Sequence, residues 1–165
     1  MLETSYKIAE ELGQELRAHS YRMATAESCT GGLVASTLTD IPGSSFWYEG
    51  GVVAYSNQIK KHLLKVPAPL LHDHGAVSQA CVLAMVHAVT SLFQVSVALA
   101  VSGIAGPSGG SVAKPVGTVW IAWSLNGQLW SKKFLFTGDR LSVKNQSVQA
   151  SLGQLLNAIK NGAPK

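Results

Sequence analysis

Charge is scarce in this sequence. Only 13% of its 165 residues are Asp, Glu, Lys or Arg, against 47% hydrophobic. That balance excludes an intrinsically disordered chain. It also leaves little polar cover, so a homo-oligomer that buries some surface between copies is expected. Cysteine is scarce too. Cys29 and Cys81 alone make no disulfide framework, and no CxxC or HExxH pattern signals zinc. No apolar run is long enough to cross a bilayer, and Met1-Leu2-Glu3-Thr4 lacks the basic-then-apolar order of a signal peptide. A soluble cytoplasmic protein with no membrane partner is therefore expected. The formal charge of +4 is modest, and no basic run alternates with aromatics, which argues against nucleic acid and suits a small anionic ligand. The one close histidine pair, His72 and His74, is flanked by Leu70-Leu71 and Gly75 and reads as a loop, so no metal is expected.

What is present is a patterned chain of single-domain size, read as one domain over 1–165. Ile8, Leu12 and Leu16 recur at helical spacing up to about Ala18. Arg22 to Ala26 reads as a strand, and Leu33, Val34 and Leu38 as a helix ending before Pro42-Gly43. Trp47 to Tyr55 reads as a strand, and Ser56 or Asn57 caps a short helix through Leu64. Pro67 and Pro69 then break the pattern, and Ser78 caps a longer helix. Val95 to Val101 is a strand covered on both faces. Val116 to Ser124 and Leu129 to Phe136 are hairpin partners across Asn126-Gly127, and Asp139 begins a last helix, beyond which Asn161 to Lys165 is expected to fray. This order predicts helices on both faces of a mixed sheet, in the α/β class.

Three stretches carry chemistry. In Thr25-Ala26-Glu27-Ser28-Cys29-Thr30-Gly31-Gly32, a strand runs into a hydroxyl, a thiol and two glycines before a helix opens. A nucleophile on such a turn lies where backbone N–H groups are unpaired, which suits attack on a carbonyl. A capped helix start is the plainer reading, and Cys29 is a rival nucleophile. A serine needs a base, and Lys60, at another strand-to-helix junction after Tyr55-Ser56-Asn57, is a candidate if the two turns are neighbours. By itself, Lys60 reads more simply as part of a solvated helix face. The second stretch is the loop Gly103-Ile104-Ala105-Gly106-Pro107-Ser108-Gly109-Gly110, which either nests an anion or is a tight surface turn, with Lys114 close behind. The third is Gly138-Asp139-Arg140, where Asp139 suits an N-cap and Arg140 can pair with a phosphate or carboxylate. The four tryptophans read as strand packing, with one able to stack on an aromatic ring.

Together these motifs resemble the CinA C-terminal domain family: Ala26 to Gly32, Tyr55-Ser56-Asn57 with Lys60, Gly75-Ala76-Val77-Ser78, Ser102 to Pro107 with Gly109-Gly110, Lys114 to Val119, and Gly138-Asp139-Arg140. The resemblance spans nearly the whole chain in the family's order. It implies a three-layer α/β/α sandwich with a mixed, mostly parallel sheet. It also implies a stand-alone nicotinamide-nucleotide amidohydrolase that turns nicotinamide mononucleotide and water into nicotinate mononucleotide and ammonia. Carried over, Ser28 is the nucleophile, Lys60 the general base and Tyr55 a supporting hydroxyl. Cys29, Thr30 and Gly31 form the oxyanion turn. Gly103, Ile104, Ala105, Gly106, Gly109, Gly110, Lys114 and Arg140 bind the nucleotide substrate, with no cofactor required. Three positions depart from the family's pattern. Ala54 stands where threonine is usual, Lys65 where glycine is usual, and Lys144 where arginine is common. The first and last motivate two alternatives, a non-catalytic nucleotide- or partner-binding module and an amidohydrolase for another pyridine nucleotide.

Overall fold

A computed structural model describes residues 2–164. Its strands and helices follow one another as α1 (Leu2–Ala18), β1 (Met23–Glu27), α2 (Leu33–Thr39), β2 (Tyr48–Val53), α3 (Asn57–His62), α4 (Ala68–His74), α5 (Gln79–Phe93), β3 (Val97–Gly103), β4 (Thr118–Leu125), β5 (Gln128–Leu135) and α6 (Arg140–Asn161). The sheet order is β2-β1-β3-β4-β5. β1 pairs in parallel with both β2 and β3, and the β4–β5 hairpin closes the sheet antiparallel. The α/β/α sandwich with a mixed sheet is therefore the observed architecture.

The central strands β1, β3 and β4 are buried on both sides, and their alternation sorts side chains by size. On one face Val97, Leu99, Val101, Val119, Ile121 and Trp123 pack with residues of α1, α2 and α6. On the other face Ala24, Ala26, Ala98, Ala100 and Ala122 present a flat surface to Val82, Met85, Val86 and Val89 of α5. Period-two alternation gives each strand one bulky and one shallow face.

One expectation needs correction. Ala68–His74 is a helix, not a break, so His72 and His74 lie on α4 rather than in a loop. Pro69 stands in the first turn of α4, where its missing N–H is no loss because first-turn amides have no intrahelical acceptor. The last helix ends at Asn161, and 162–164 have no regular structure, as expected of the tail. The hairpin turn is as expected: Leu125 pairs with Gln128, and Asn126 and Gly127 both have positive φ. Of the departures, Lys65 has φ 53, which explains why glycine suits that position. No described helix is long and apolar enough to cross a membrane.

The fold gathers the chemistry-bearing turns at one end. The parallel strands β1, β2 and β3 all point their carboxyl ends the same way. Ser28 follows β1, Tyr55 follows β2 and the glycine-rich loop follows β3. In open α/β sheets this edge is where ligands bind. The ladders extend past the strand ends: Ser28 N–H donates to Val101 O at 2.9 Å, and Ala54 N–H donates to Glu27 O at 2.8 Å.

Candidate active site

The turn after β1 is held by the residue before Ser28. Glu27 is 1% exposed. Its carboxylate accepts the N–H groups of Gly32 and Val34 at 3.0 Å each and of Ala35 at 2.8 Å. These are first-turn amides of α2 that have no acceptor inside the helix. Gly31 (φ 63) and Gly32 (φ 96) supply the left-handed backbone that folds the chain back over this carboxylate. The helix start is thus capped from the strand behind it, not by a Ser or Thr at the N-cap. Sequence reading missed Glu27. Its signal is an acidic residue closing a buried strand just ahead of an uncapped helix start. Glu27→Ala leaves one buried and two half-buried donors unpaired and is expected to lower stability by ~2 kcal/mol. Urea unfolding checks this, with Glu27→Gln, which keeps a carbonyl acceptor, expected to fall between the two.

This cap also corrects the oxyanion turn. Gly31 N–H donates to Ser28 O at 3.1 Å, so it is already engaged. The Gly32 N–H belongs to Glu27. Among the described residues, the Thr30 N–H has no protein acceptor, and the Thr30 hydroxyl is buried with no partner. The Cys29 and Thr30 backbone N–H groups and the Thr30 hydroxyl are therefore the turn's uncommitted donors among the described residues.

The two strand-to-helix turns are neighbours. Lys60 is 1% exposed, and its Nζ lies 2.8 Å from Ser28 Oγ, 2.8 Å from Ala54 O and 3.1 Å from Tyr55 O. An ammonium satisfies all three acceptors. A neutral amine satisfies the two carbonyls with its N–H groups and turns its lone pair to the Ser28 hydroxyl, which then donates. Burial pushes the Lys60 pKa below its ordinary 10.5, with Cys81 and Cys29 nearby opposing the shift. Cys29 behaves differently, because burial pushes its pKa up to about 12. It is a protonated thiol at neutral pH, and thiols react as thiolates.

The Ala54 departure loses its force here, because position 54 touches the amine through its backbone carbonyl, which any residue supplies. Tyr55 likewise meets Lys60 through its carbonyl. Its hydroxyl instead accepts from Arg140 Nη2 at 3.0 Å, while Arg140 Nη1 donates to Gly106 O at 2.8 Å. The guanidinium thus bridges the β2 turn and the glycine-rich loop.

A cleft of about 260 Å³ lies over Ser28, lined also by Cys29, Tyr55, Lys60, Gly103, Ala105 and Arg140. Asn57, Ala76, Val77 and Ser102 complete its wall and were not among the expected site residues, although they stand inside the quoted motifs. Other expected residues lie off the cleft. Gly109 and Gly110 are exposed and do not line it, although a Cβ on Gly110 would meet Val116 N at 2.8 Å. Lys114 Nζ donates to His74 O at 2.7 Å and does not line the cleft. None of the four tryptophans lines it either.

Comparison with known proteins agrees with this geometry. The CinA C-terminal domain profile matches residues 5–159. The chain is 49% identical over 149 residues to nicotinamide-nucleotide amidohydrolase PncC of Pseudomonas putida, covering 90% of this chain and 93% of that protein. It is 43% identical over 150 residues to the protein of the same name from Escherichia coli K12, covering 90% and 91%. A crystal structure of a competence-damaged protein (CinA) superfamily protein from Klebsiella pneumoniae superposes with a TM-score of 0.92 at 37% identity, covering 94% of this chain and 98% of that one.

Proposed function

The chain belongs to the CinA C-terminal domain family, and from that premise we propose that it hydrolyses the carboxamide of nicotinamide mononucleotide, giving nicotinate mononucleotide and ammonia. The substrate class comes from the names of the relatives. The observation that carries the chemistry is the 2.8 Å contact between the buried Lys60 amine and Ser28 Oγ.

In this reading, neutral Lys60 takes the Ser28 proton as Oγ bonds to the carboxamide carbon. The negative charge that develops on the carbonyl oxygen faces the Thr30 donors. The C–N bond then breaks while Lys60 returns its proton to the departing nitrogen, which leaves as ammonia. Water attacks the resulting ester, Lys60 takes the water's proton, and the proton returns to Oγ as the C–O bond breaks. Tyr55 and Arg140 border the nucleotide at the mouth of the cleft. The enzyme works in the cytoplasm as a homo-oligomer in this proposal, and sedimentation equilibrium reads its mass directly.

The activity test supplies nicotinamide mononucleotide and measures ammonia and nicotinate mononucleotide together. Equal amounts of both are expected. Saturable binding without ammonia would favour the non-catalytic module, and turnover of a different pyridine nucleotide alone would move the substrate assignment.

A further inference from the structure

We propose that β5 is a docking edge for an extended acidic polypeptide segment, which adds to the sheet as a further strand. β5 is the last strand in the order β2-β1-β3-β4-β5, and it pairs with β4 alone. The two-residue hairpin makes Leu125 and Gln128 a hydrogen-bonded pair, and Phe136 N–H donates to Gly117 O at 2.9 Å in the same phase. Residues 128, 130, 132 and 134 thus turn their backbone groups toward β4. Leu129, Ser131, Lys133 and Leu135 turn theirs outward, and among the described residues no protein group accepts from those outward N–H groups.

The opposite edge of the sheet is less open. The register of β2 against β1 shifts between Met23 and Ala24, and β2 runs through Gly50-Gly51. Such irregularity spoils an edge as a template. β5 keeps its register on β4 from Gln128 to Leu135 without a shift, long enough for a strand of ordinary length.

Charge and apolar surface select the occupant. Gln128-Leu129-Trp130-Ser131-Lys132-Lys133-Phe134-Leu135 holds two lysines and no acid. As neighbours in a strand the lysines point to opposite faces, so they flank the edge from both sides. Among the described residues neither forms an ion pair, and Lys132 Nζ lies over the Phe134 ring, 5.4 Å from its centroid. Leu129 and Leu135, on the same face as Lys133, are 43% and 63% exposed. Lysine on an edge strand ordinarily wards off pairing. It does so by charge, and the sign chooses the partner. A second copy pairing antiparallel here would bring both copies' lysines and no acid into one two-stranded ribbon, which repels. A strand with acids opposite Lys132 and Lys133 gains a cross-strand pair on each face, and apolar residues opposite Leu129 and Leu135 cover them. Main-chain hydrogen bonds then supply affinity, and the charges supply the choice of partner.

The test is fluorescence anisotropy at low salt with labelled peptides. The probe is Val-Thr-Glu-Glu-Thr-Thr-Val-Thr, which antiparallel to β5 sets its acids against the two lysines. One control carries Lys for both Glu. The other keeps the acids but is methylated on its third, fifth and seventh backbone nitrogens, which removes donors that face β5. The acidic probe is expected to bind saturably and to weaken as salt is added. Both controls are expected to bind at least ~tenfold more weakly. Lys133→Ala is expected to weaken the acidic probe about threefold, and Lys132→Glu with Lys133→Glu to reverse the preference between the acidic and lysine peptides, with circular dichroism checking the fold. No binding of the acidic probe, or equal binding of the lysine control, would overturn the proposal. Equal binding of the methylated control would overturn it too, because charge alone would then account for the contact.

Discussion

Ser28→Ala is expected to lower ammonia release from nicotinamide mononucleotide by about 10⁴-fold or more, with the protein still folded. The size follows from what the hydroxyl does. Without Oγ there is no acyl-enzyme, and what remains is whatever the cleft gains by holding substrate near water. The fold should tolerate the change. The hydroxyl has Lys60 Nζ as its partner, and that amine keeps the Ala54 and Tyr55 carbonyls after Oγ is gone. Far-ultraviolet circular dichroism and the urea midpoint check the fold, and a coupled ammonia assay checks the rate. Cys29→Ala should lose far less, because burial holds the Cys29 thiol protonated, with a pKa of about 12. Equal losses in the two variants would return the choice of nucleophile to the thiol.

Lys60 carries the second large effect, and its signature is pH. Only the neutral amine can take the Ser28 proton. Activity, as kcat/KM, should therefore rise about tenfold per pH unit below the Lys60 pKa and level off above it. Burial places that bend below 10.5. Lys60→Met removes the base and is expected to cost about 10²- to 10⁴-fold. Lys60→Arg is expected to be as inactive, because a guanidinium stays protonated across the whole range. The same shift has a stability consequence. The unfolded chain holds the lysine proton more tightly than the fold does, so stability rises with pH between the folded value and 10.5. In Lys60→Met that rise should vanish. A wild-type pH–rate profile with no rise of this kind anywhere below 10.5 would remove Lys60 as the base.

Much of the frame was legible in the residues because the signals are local. Helical and strand periods, the Asn126-Gly127 hairpin and the Ser56, Ser78 and Asp139 caps all depend on neighbours a few positions apart, and the structure shows each of them. The pairing of Ser28 with Lys60 was conditional on tertiary structure, because 32 residues separate them and only the parallel pairing of β1 with β2 brings their turns together. Glu27 was missed for a related reason. Its carboxylate caps α2 from five to eight residues upstream, outside the Ser/Thr-centred pattern that capping rules describe. Lys114 was expected at the substrate because it follows the glycine-rich loop, yet its amine is held elsewhere. Its partner is a backbone carbonyl of α4, a helix hidden in the sequence by two prolines. The glycine-rich loop divided in the same way: Gly103 and Ala105 line the cleft, while Gly109 and Gly110 are exposed away from it, a distinction that composition does not carry.

The covalent step is the center of the proposal, and one measurement meets it head on. Wild type is mixed with nicotinamide mononucleotide, quenched in acid at a series of times during turnover, digested and sequenced by fragment-ion mass spectrometry. The expected result is a nicotinoyl-nucleotide ester localised to the Ser28 hydroxyl, rising before steady state and absent from Ser28→Ala. An adduct localised to the Cys29 sulfur, or continued ammonia release with Ser28 unmodified at every time, would contradict it.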